Sequence, residues 1–331
     1  MSRVLLICHV TAETGIGHLS RLLAVADELQ KYNNIRIEFM IFGSLLKEKQ
    51  LANYKSYNLS FDADLIKETN NIEAINHYDA MIFDLYPKCN NYNFDELFTH
   101  LKKKNTFLIS IDSLIDYKNI LDIVWIPSFS FNFRKHTDAS NKIKSGWGSL
   151  LLQKKLQHRD WLPGQKVLVL TGGSDTTNLG DTLPTQLDIF LNDDVEVHWV
   201  KGPFSSKPNL PDRRNLKWII HDSPEQLDEL IIQSNYVISI YGVSLFEVLQ
   251  YGVPAVTFSP YGGKDEIELK ALAKEGVAMV AENSRQAIDR LIELMNNDEL
   301  AKQFSENSLN IMSNDGAKNL SSQIYSLIGR Q

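Results

Sequence analysis

Gly15-Ile16-Gly17-His18-Leu19-Ser20-Arg21 holds the residues in this sequence best suited to chemistry. The segment falls between an apolar run, Val4–Val10, and a stretch with helical spacing. Glycines there let the backbone turn sharply and approach a ligand closely. A helix start presents unpaired N–H groups to an anion. His18, on the first turn, suits a general base or a phosphate contact, and Arg21 stands one turn further on. The plainer alternative is ordinary turn chemistry, with His18 solvated or capping and Arg21 structural. His18 and Arg21 occupy positions where a GxGxxG dinucleotide fingerprint needs small residues, so this is a different motif.

A second candidate is Thr171-Gly172-Gly173-Ser174-Asp175 after the run Val167–Leu170. It repeats the strand–glycine–helix arrangement, and backbone N–H groups with the Ser174 hydroxyl suit a diphosphate. Its bland reading is a glycine-containing turn with Ser174 or Asp175 capping. A third is Ser239-Ile240-Tyr241-Gly242-Val243-Ser244-Leu245-Phe246-Glu247. Ser244 and Glu247 have the spacing of a capping box, while a carboxylate at Glu247 is also suited to accept hydrogen bonds from two ribose hydroxyls. Lys102-Lys103-Lys104 reads as a solvated helix end, with an anionic lipid or polysaccharide as the alternative contact. Trp125, Phe129, Phe131 and Phe133 read as packing, with sugar stacking as the alternative.

These segments need elements to position them. Strand signals fall at Val4–Val10, Ile35–Phe42, Asp79–Asp84, Thr106–Ile111 and Ile120–Trp125. Helical spacing falls at Leu19–Gln30, Leu45–Leu51, Leu65–His77 and Phe94–Lys104. Pro127–Gly148 breaks the rhythm, and Pro163-Gly164 marks a turn. The alternation then restarts, with strands at Val167–Leu170, Val195–Val200, Leu216–Ile220, Tyr236–Ser239 and Ala255–Ser259. Helices are expected through Leu187–Leu191, from Ser223-Pro224-Glu225 to Ile232, and at Ser244–Tyr251, Glu266–Glu275, Ser284–Met295, Glu299–Ser308 and Ala317–Ile328. Alternating strands and helices of this kind imply parallel, doubly wound sheets.

A chain of 331 residues suits two such domains. The boundary is expected at 160/161, giving domains 1–160 and 161–331, with the last helix able to return to the first domain. A net charge of −7 argues against a general nucleic-acid binder. Two scattered cysteines, Cys8 and Cys89, fit a reducing compartment and no structural zinc site. With no signal-peptide core or membrane span in the sequence, a cytoplasmic protein with at most peripheral membrane contact is expected.

GIGHLSR, LTGGSD with Asn178, and ISIYGVSLFEVLQYGVPAV together resemble the UDP-sugar hydrolase of pseudaminic acid biosynthesis and its spore-coat polysaccharide relatives. More distantly they resemble the peptidoglycan N-acetylglucosaminyltransferase. The resemblance implies the GT-B fold: two Rossmann-like α/β domains whose parallel sheets face each other across a cleft. It implies a catalytic His18, a phosphate loop at Gly172, Gly173, Ser174 and Asn178, and a ribose-binding Glu247 beside Gly242 and Ser244. Gly15, Gly17 and Arg21 join the phosphate contacts, Tyr86 matches an active-site tyrosine of the hydrolases, and Asp112 falls where they carry paired aspartates. The chain departs from the hydrolases at Asp84-Leu85-Tyr86, Asp112-Ser113 and Gly146–Leu151, and from both families at Lys264-Asp265-Glu266. The nucleotide side is thus the better matched. The preferred expectation is an inverting, UDP-sugar-dependent glycosyltransferase of surface polysaccharide or glycoconjugate biosynthesis, with a glycan or lipid-linked acceptor and no cofactor or metal. A UDP-sugar hydrolase and a non-catalytic nucleotide-sugar-binding protein are the alternatives.

Overall fold

A computed structural model describes residues 1–13, 15–44, 51–86, 92–131, 142–224, 226–312 and 315–329. The chain divides into two compact units, Met1–Gln153 with Asn314–Gln331, and Lys154–Ser313.

In the first unit seven strands form one parallel sheet: β1 (Ser2–Val10), β2 (Ile35–Gly43), β3 (Lys55–Leu59), β4 (Ala80–Asp84), β5 (Phe107–Ile111), β6 (Ile123–Trp125) and β7 (Ile143–Lys144). Their order is β3-β2-β1-β4-β5-β6-β7. Helices α1 (Gly17–Leu29), α2 (Leu65–Ile75) and α3 (Asp95–Lys103) make the connections. Val4–Cys8 and Ala80–Asp84 have no exposed surface, as expected of central parallel strands covered on both faces. α2 starts where the Asp64 carboxylate accepts the Lys67 N–H, a standard N-cap.

The second unit holds β8 (Lys166–Leu170), β9 (Glu196–Lys201), β10 (Lys217–Asp222), β11 (Tyr236–Ile240), β12 (Ala255–Phe258) and β13 (Met279–Val280), parallel and ordered β10-β9-β8-β11-β12-β13. Around them lie α4 (Leu179–Phe190), α5 (Leu227–Gln233), α6 (Val243–Leu249), α7 (Glu266–Glu275), α8 (Ser284–Met295) and α9 (Asp298–Ile311). One face of the sheet packs a core of Val167, Val169, Leu183, Leu187, Trp199 and Ile238. The last helix, α10 (Gly316–Ile328), belongs to the first unit and packs on α1. There Ser321 donates to the Val25 carbonyl, and Tyr325 stacks on Tyr32 with ring centres 4.0 Å apart.

Each sheet reverses its strand order once, between β1 and β4 in the first unit and between β8 and β11 in the second. Open α/β sheets bind ligands outside the carboxyl ends of their strands at such a point. All three motif segments start there: Gly15–Arg21 follows β1, Gly172–Asp175 follows β8 and Gly242–Glu247 follows β11.

Three local expectations differ from the structure. β3 carries no apolar alternation (Lys-Ser-Tyr-Asn-Leu), because it is a half-exposed edge strand paired on one side only. Ser223 does not cap α5: its φ of +45° is not the extended conformation of an N-cap, its hydroxyl donates to the Lys201 carbonyl, and the helix begins at Leu227. α6 begins at Val243 with Gly242 before it, so Ser244 sits inside the first turn and the capping box is not formed. The helix expected from Leu45, like Cys89, Phe133 and Glu225, lies on residues outside the described ones. Among the described residues, no helix is long and apolar enough to cross a membrane.

Candidate active site

His18 lies on the first turn of α1 and Asp84 ends β4, next to β1 in the sheet. His18 Nδ1 is 2.6 Å from Asp84 Oδ1. Arg21 Nη2 lies 3.0 Å from the same nitrogen; in the tautomer with the proton on Nδ1, that N–H donates to Asp84 and Nε2 is left as an acceptor. Asp84 is completely buried, a costly place for a charge unless it is paired. Arg21 pairs it: Nε donates to Asp84 Oδ2 at 2.8 Å and Nη2 to Oδ1 at 2.7 Å, a bidentate fork. Arg21 Nη1 donates to Asp112 Oδ2 at 3.0 Å. The spacing of His18 and Arg21 is thus one helical turn aimed at a single carboxylate.

The electrostatics follow from burial and pairing. Burial by itself raises the Asp84 carboxyl, but Arg21 and then His18 outweigh it and hold it below the usual carboxylate range. Arg21 is subject to the same opposition: burial favours its neutral form, and Asp84 and Asp112 overcome this and raise its pKa. Cys8, paired with Asp84 across the strands, is a buried thiol pushed up by burial and by that carboxylate.

The loop between β1 and α1 turns at Gly15, whose φ of +67° favours glycine and whose N–H donates to Thr11. Tyr86, two residues beyond Asp84, does not join the His18–Asp84 pair: its hydroxyl donates to Glu13 Oε1 at 2.9 Å. Asp112 is partly exposed and meets the group through Arg21. Asp84 is the residue that sequence reasoning left out of the site. Its signal is a carboxylate closing an otherwise apolar strand, and its significance depends on β4 lying beside β1.

In the second unit, Gly172 has φ +81°, and a Cβ there would lie 3.2 Å from Ile240 Cδ1. Gly173, Ser174 and Gly172 turn the chain out of β8, but Asp175 takes the first turn of α4: Leu179 and Gly180 donate their N–H groups to its two carboxylate oxygens at 2.9 and 2.8 Å. The helix end is therefore occupied by a side chain, and the glycine loop is what remains to meet an anion. Asn178 lies in the left-handed region at φ +54° and makes no capping bond. Glu247 is partly buried on α6. Burial, then the charge of Asp228, push its carboxyl up to about 7, against the opposing effects of Lys155 and a hydrogen bond with Ser244.

Other candidates separate. Lys102 pairs with Asp122 and Lys104 with Glu73, so two of the three lysines are engaged in the fold. Trp125 is buried and donates to the Ser149 carbonyl, Phe131 packs on the core, and Phe129 stacks on Trp147 with ring centres 4.3 Å apart. Near α7, Asp265 accepts the Ser259 hydroxyl and Glu266 pairs with Lys270. A crevice of about 410 Å³ lined by Trp161, Lys166, Asn235 and Tyr251 opens at the amino ends of β8 and β11, away from both glycine loops. Among the described residues, no group of three His, Cys, Asp or Glu side chains is placed to hold a metal ion.

Comparison with known proteins shows the fold in which this geometry is set. Residues 208–310 match the family described as Glycosyl transferases group 1. MurG of Acinetobacter baumannii is 14% identical with a TM-score of 0.64, over 98% of this chain and 100% of that one. UGT2 of Phytolacca americana, solved with UDP-2-fluoro-glucose and pterostilbene, is 11% identical with a TM-score of 0.66, over 99% of this chain and 100% of its own. The chain has the GT-B fold. Among curated proteins, the uncharacterized protein MJ1062 of Methanocaldococcus jannaschii is 25% identical over 276 residues, 77% of this chain. The chain spans about half the length (55%) of that relative.

Proposed function

We propose that this protein is an inverting glycosyltransferase that takes a sugar from a UDP-sugar donor, in surface polysaccharide or glycoconjugate biosynthesis in the cytoplasm. The observation that carries the reading is the His18–Asp84 pair: a histidine whose Nδ1–H is held by a buried carboxylate, leaving Nε2 as the base. Nε2 takes the proton of an acceptor hydroxyl as that oxygen attacks the anomeric carbon and the diphosphate leaves. One displacement of this kind inverts the anomeric centre. The imidazolium that forms sits against Asp84, whose charge Arg21 holds in place.

The second unit would hold the donor. N–H groups of Gly172, Gly173 and Ser174 would meet the diphosphate as charge builds on it, and Glu247 would accept the ribose hydroxyls. Support for UDP is indirect: the Phytolacca enzyme was solved with a UDP-sugar analogue, and Glu247 is not consumed by a capping box. A hydrolase would use Tyr86 to orient water beside His18, and here the Tyr86 hydroxyl is bonded to Glu13 instead.

The test is release of UDP from a panel of UDP-sugars with and without saccharide acceptors, the product identified by mass spectrometry. Slow release that rises strongly with acceptor, giving a product one sugar larger, is expected. Rapid release giving free sugar without acceptor would establish hydrolysis.

A further inference from the structure

At the amino ends of β1, β2 and β3 lies a charged group that the proposed chemistry does not use. Arg36 and Glu38 stand two residues apart on β2 and so face the same side of the sheet. The register sets Arg3 of β1 beside Arg36 and Lys55 of β3 beside Glu38, which brings three cations and one carboxylate together. Arg3 Nη2 is 2.7 Å and Arg36 Nε 2.9 Å from Glu38 Oε1. The Tyr78 and Tyr57 hydroxyls donate to Oε2 at 2.8 and 3.0 Å. A carboxylate offers about four lone-pair positions, two on each oxygen, so Glu38 is filled. Lys55 Nζ is left 3.8 Å from Oε2.

Glu38 has no exposed surface, a position that calls for a paired cation. Burial by itself raises its carboxyl, and the two tyrosine hydroxyls, then Arg3 and Lys55, outweigh burial and hold it low, so it carries one negative charge. A further carboxylate at this edge, Asp79, accepts the Arg3 backbone N–H at 2.7 Å. Three cations against two carboxylates leave the group positive. Among the described residues, no other acceptor bonds the Arg36 guanidinium or the Lys55 ammonium, and Arg3 Nε is buried with no partner. The Arg36 and Lys55 side chains are 50% and 47% exposed, so the positive side of the group meets solvent.

Cations gathered around one carboxylate repel one another, and an anion on the open side relieves that repulsion. Guanidinium forks match an anion with several oxygens, and a lysine adds a point charge. A phosphate dianion answers both needs, where a carboxylate brings one charge and two oxygens. Aromatic faces hold two of the cations in place: Lys55 Nζ lies 4.6 Å from the centre of the Tyr57 ring and the Arg3 guanidinium 5.1 Å from that of Tyr78.

We propose that Arg3, Arg36 and Lys55 form a phosphate-binding site at the amino edge of the first sheet, for inorganic phosphate or the phosphate of a monoester. It lies at the opposite end of that sheet from the loop that leads to His18, and it does not rest on the transferase reading.

The test is calorimetric titration of the full chain with inorganic phosphate, with a sugar 1-phosphate and with chloride at equal ionic strength, beside flotation on phosphatidylcholine vesicles with and without phosphatidic acid. The parent is expected to bind phosphate in preference to chloride, and Arg36→Gln to weaken that binding at least about tenfold. Lys55→Gln should weaken it in the same direction, and it carries the test if far-UV circular dichroism shows that Arg36→Gln does not fold. Phosphate held at a glycine loop instead would bind parent and variants alike. Binding of the soluble phosphates without flotation identifies a free ligand, and flotation that needs phosphatidic acid and is lost in Arg36→Gln identifies a lipid headgroup; either supports the site. No phosphate form bound in preference to chloride or phosphatidylcholine, or equal binding by the parent and both variants, would overturn the proposal.

Discussion

His18 is useful only as far as Asp84 fixes it. In the proposed mechanism the carboxylate holds the ring by Nδ1 and faces the imidazolium that forms, and Arg21 makes its burial tolerable. His18→Ala removes the proposed base together with its contacts to Asp84 and to Arg21 Nη2. It is expected to lower turnover about 10²–10⁴-fold while the chain keeps its fold and its affinity for UDP, read by steady-state rates and calorimetric titration. Asp84 plays a second, structural part, and two substitutions separate the parts. Asp84→Ala leaves Arg21 buried with its main partner gone, a change that typically costs about 3–5 kcal/mol in denaturant unfolding. Asp84→Asn keeps shape and some hydrogen bonding, so it should unfold nearer the parent and still lose activity; equal activity in Asp84→Asn and parent would remove the carboxylate from the mechanism. The ionised Asp84 stabilises the fold above the ordinary carboxylate range, and that stability is lost as pH falls through its lowered pKa. His18 and Arg21 were legible because glycines before a helix are a local signal. Asp84 was not, because its role comes from β4 pairing with β1, a contact between residues 66 apart in the chain.

At the scale of elements, the sequence was most readable where burial is complete. β1, β4, β8 and β11 are apolar runs that only a doubly covered sheet explains, and α7 and α8 begin and end where their spacing does. It was least readable at starts decided by one φ angle, as at Ser223, and at the polar edge strand β3. The late start expected for α6 bears on the proposed ribose contact. With Gly242 as the cap position, Ser244 bonds the Glu247 side chain from inside the helix, and that carboxyl, pushed up to about 7 chiefly by burial, titrates near neutrality. A carboxyl raised this way stabilises the fold fully below its unfolded value, and that contribution is lost as pH rises through about 7. Ribose hydroxyls favour the ionised form, so UDP binding should release a proton below that pH. Affinity for UDP is expected to rise roughly tenfold between about pH 6 and pH 8 by titration calorimetry, beyond the change seen in Glu247→Gln, which keeps only the titration of the phosphate. Parallel pH profiles for parent and variant would take Glu247 out of the ribose site.

For the whole molecule, the chain leaves its first unit at Gln153, builds the second, and returns with α10. That return packs against the helix that carries His18. α10 buries Leu320, Ile324 and Ile328, and α1, on which it packs, buries Leu22, Val25, Ala26 and Leu29. Ser321 bonds the Val25 carbonyl, and Tyr325 stacks on Tyr32 beyond the end of α1. His18 and Arg21 project from the first two turns of this same α1 toward Asp84. Burying a large aliphatic side chain is worth about 1.5–3 kcal/mol, so loss of the three from α10 amounts to several kcal/mol before the newly exposed face of α1 is counted. The second unit has its own core and its own glycine loops and does not depend on that packing. A chain ending at residue 313 is therefore expected to unfold in two steps in denaturant, the first unit at a clearly lower concentration than in the full chain. It should also lose turnover while its affinity for UDP stays within a few-fold of the parent. The measurement is unfolding followed by circular dichroism, with UDP titrated into the native truncated chain. If the truncated chain keeps the parent's midpoint and its rate, α10 does not hold α1, and the path from the end of the chain to His18 is broken.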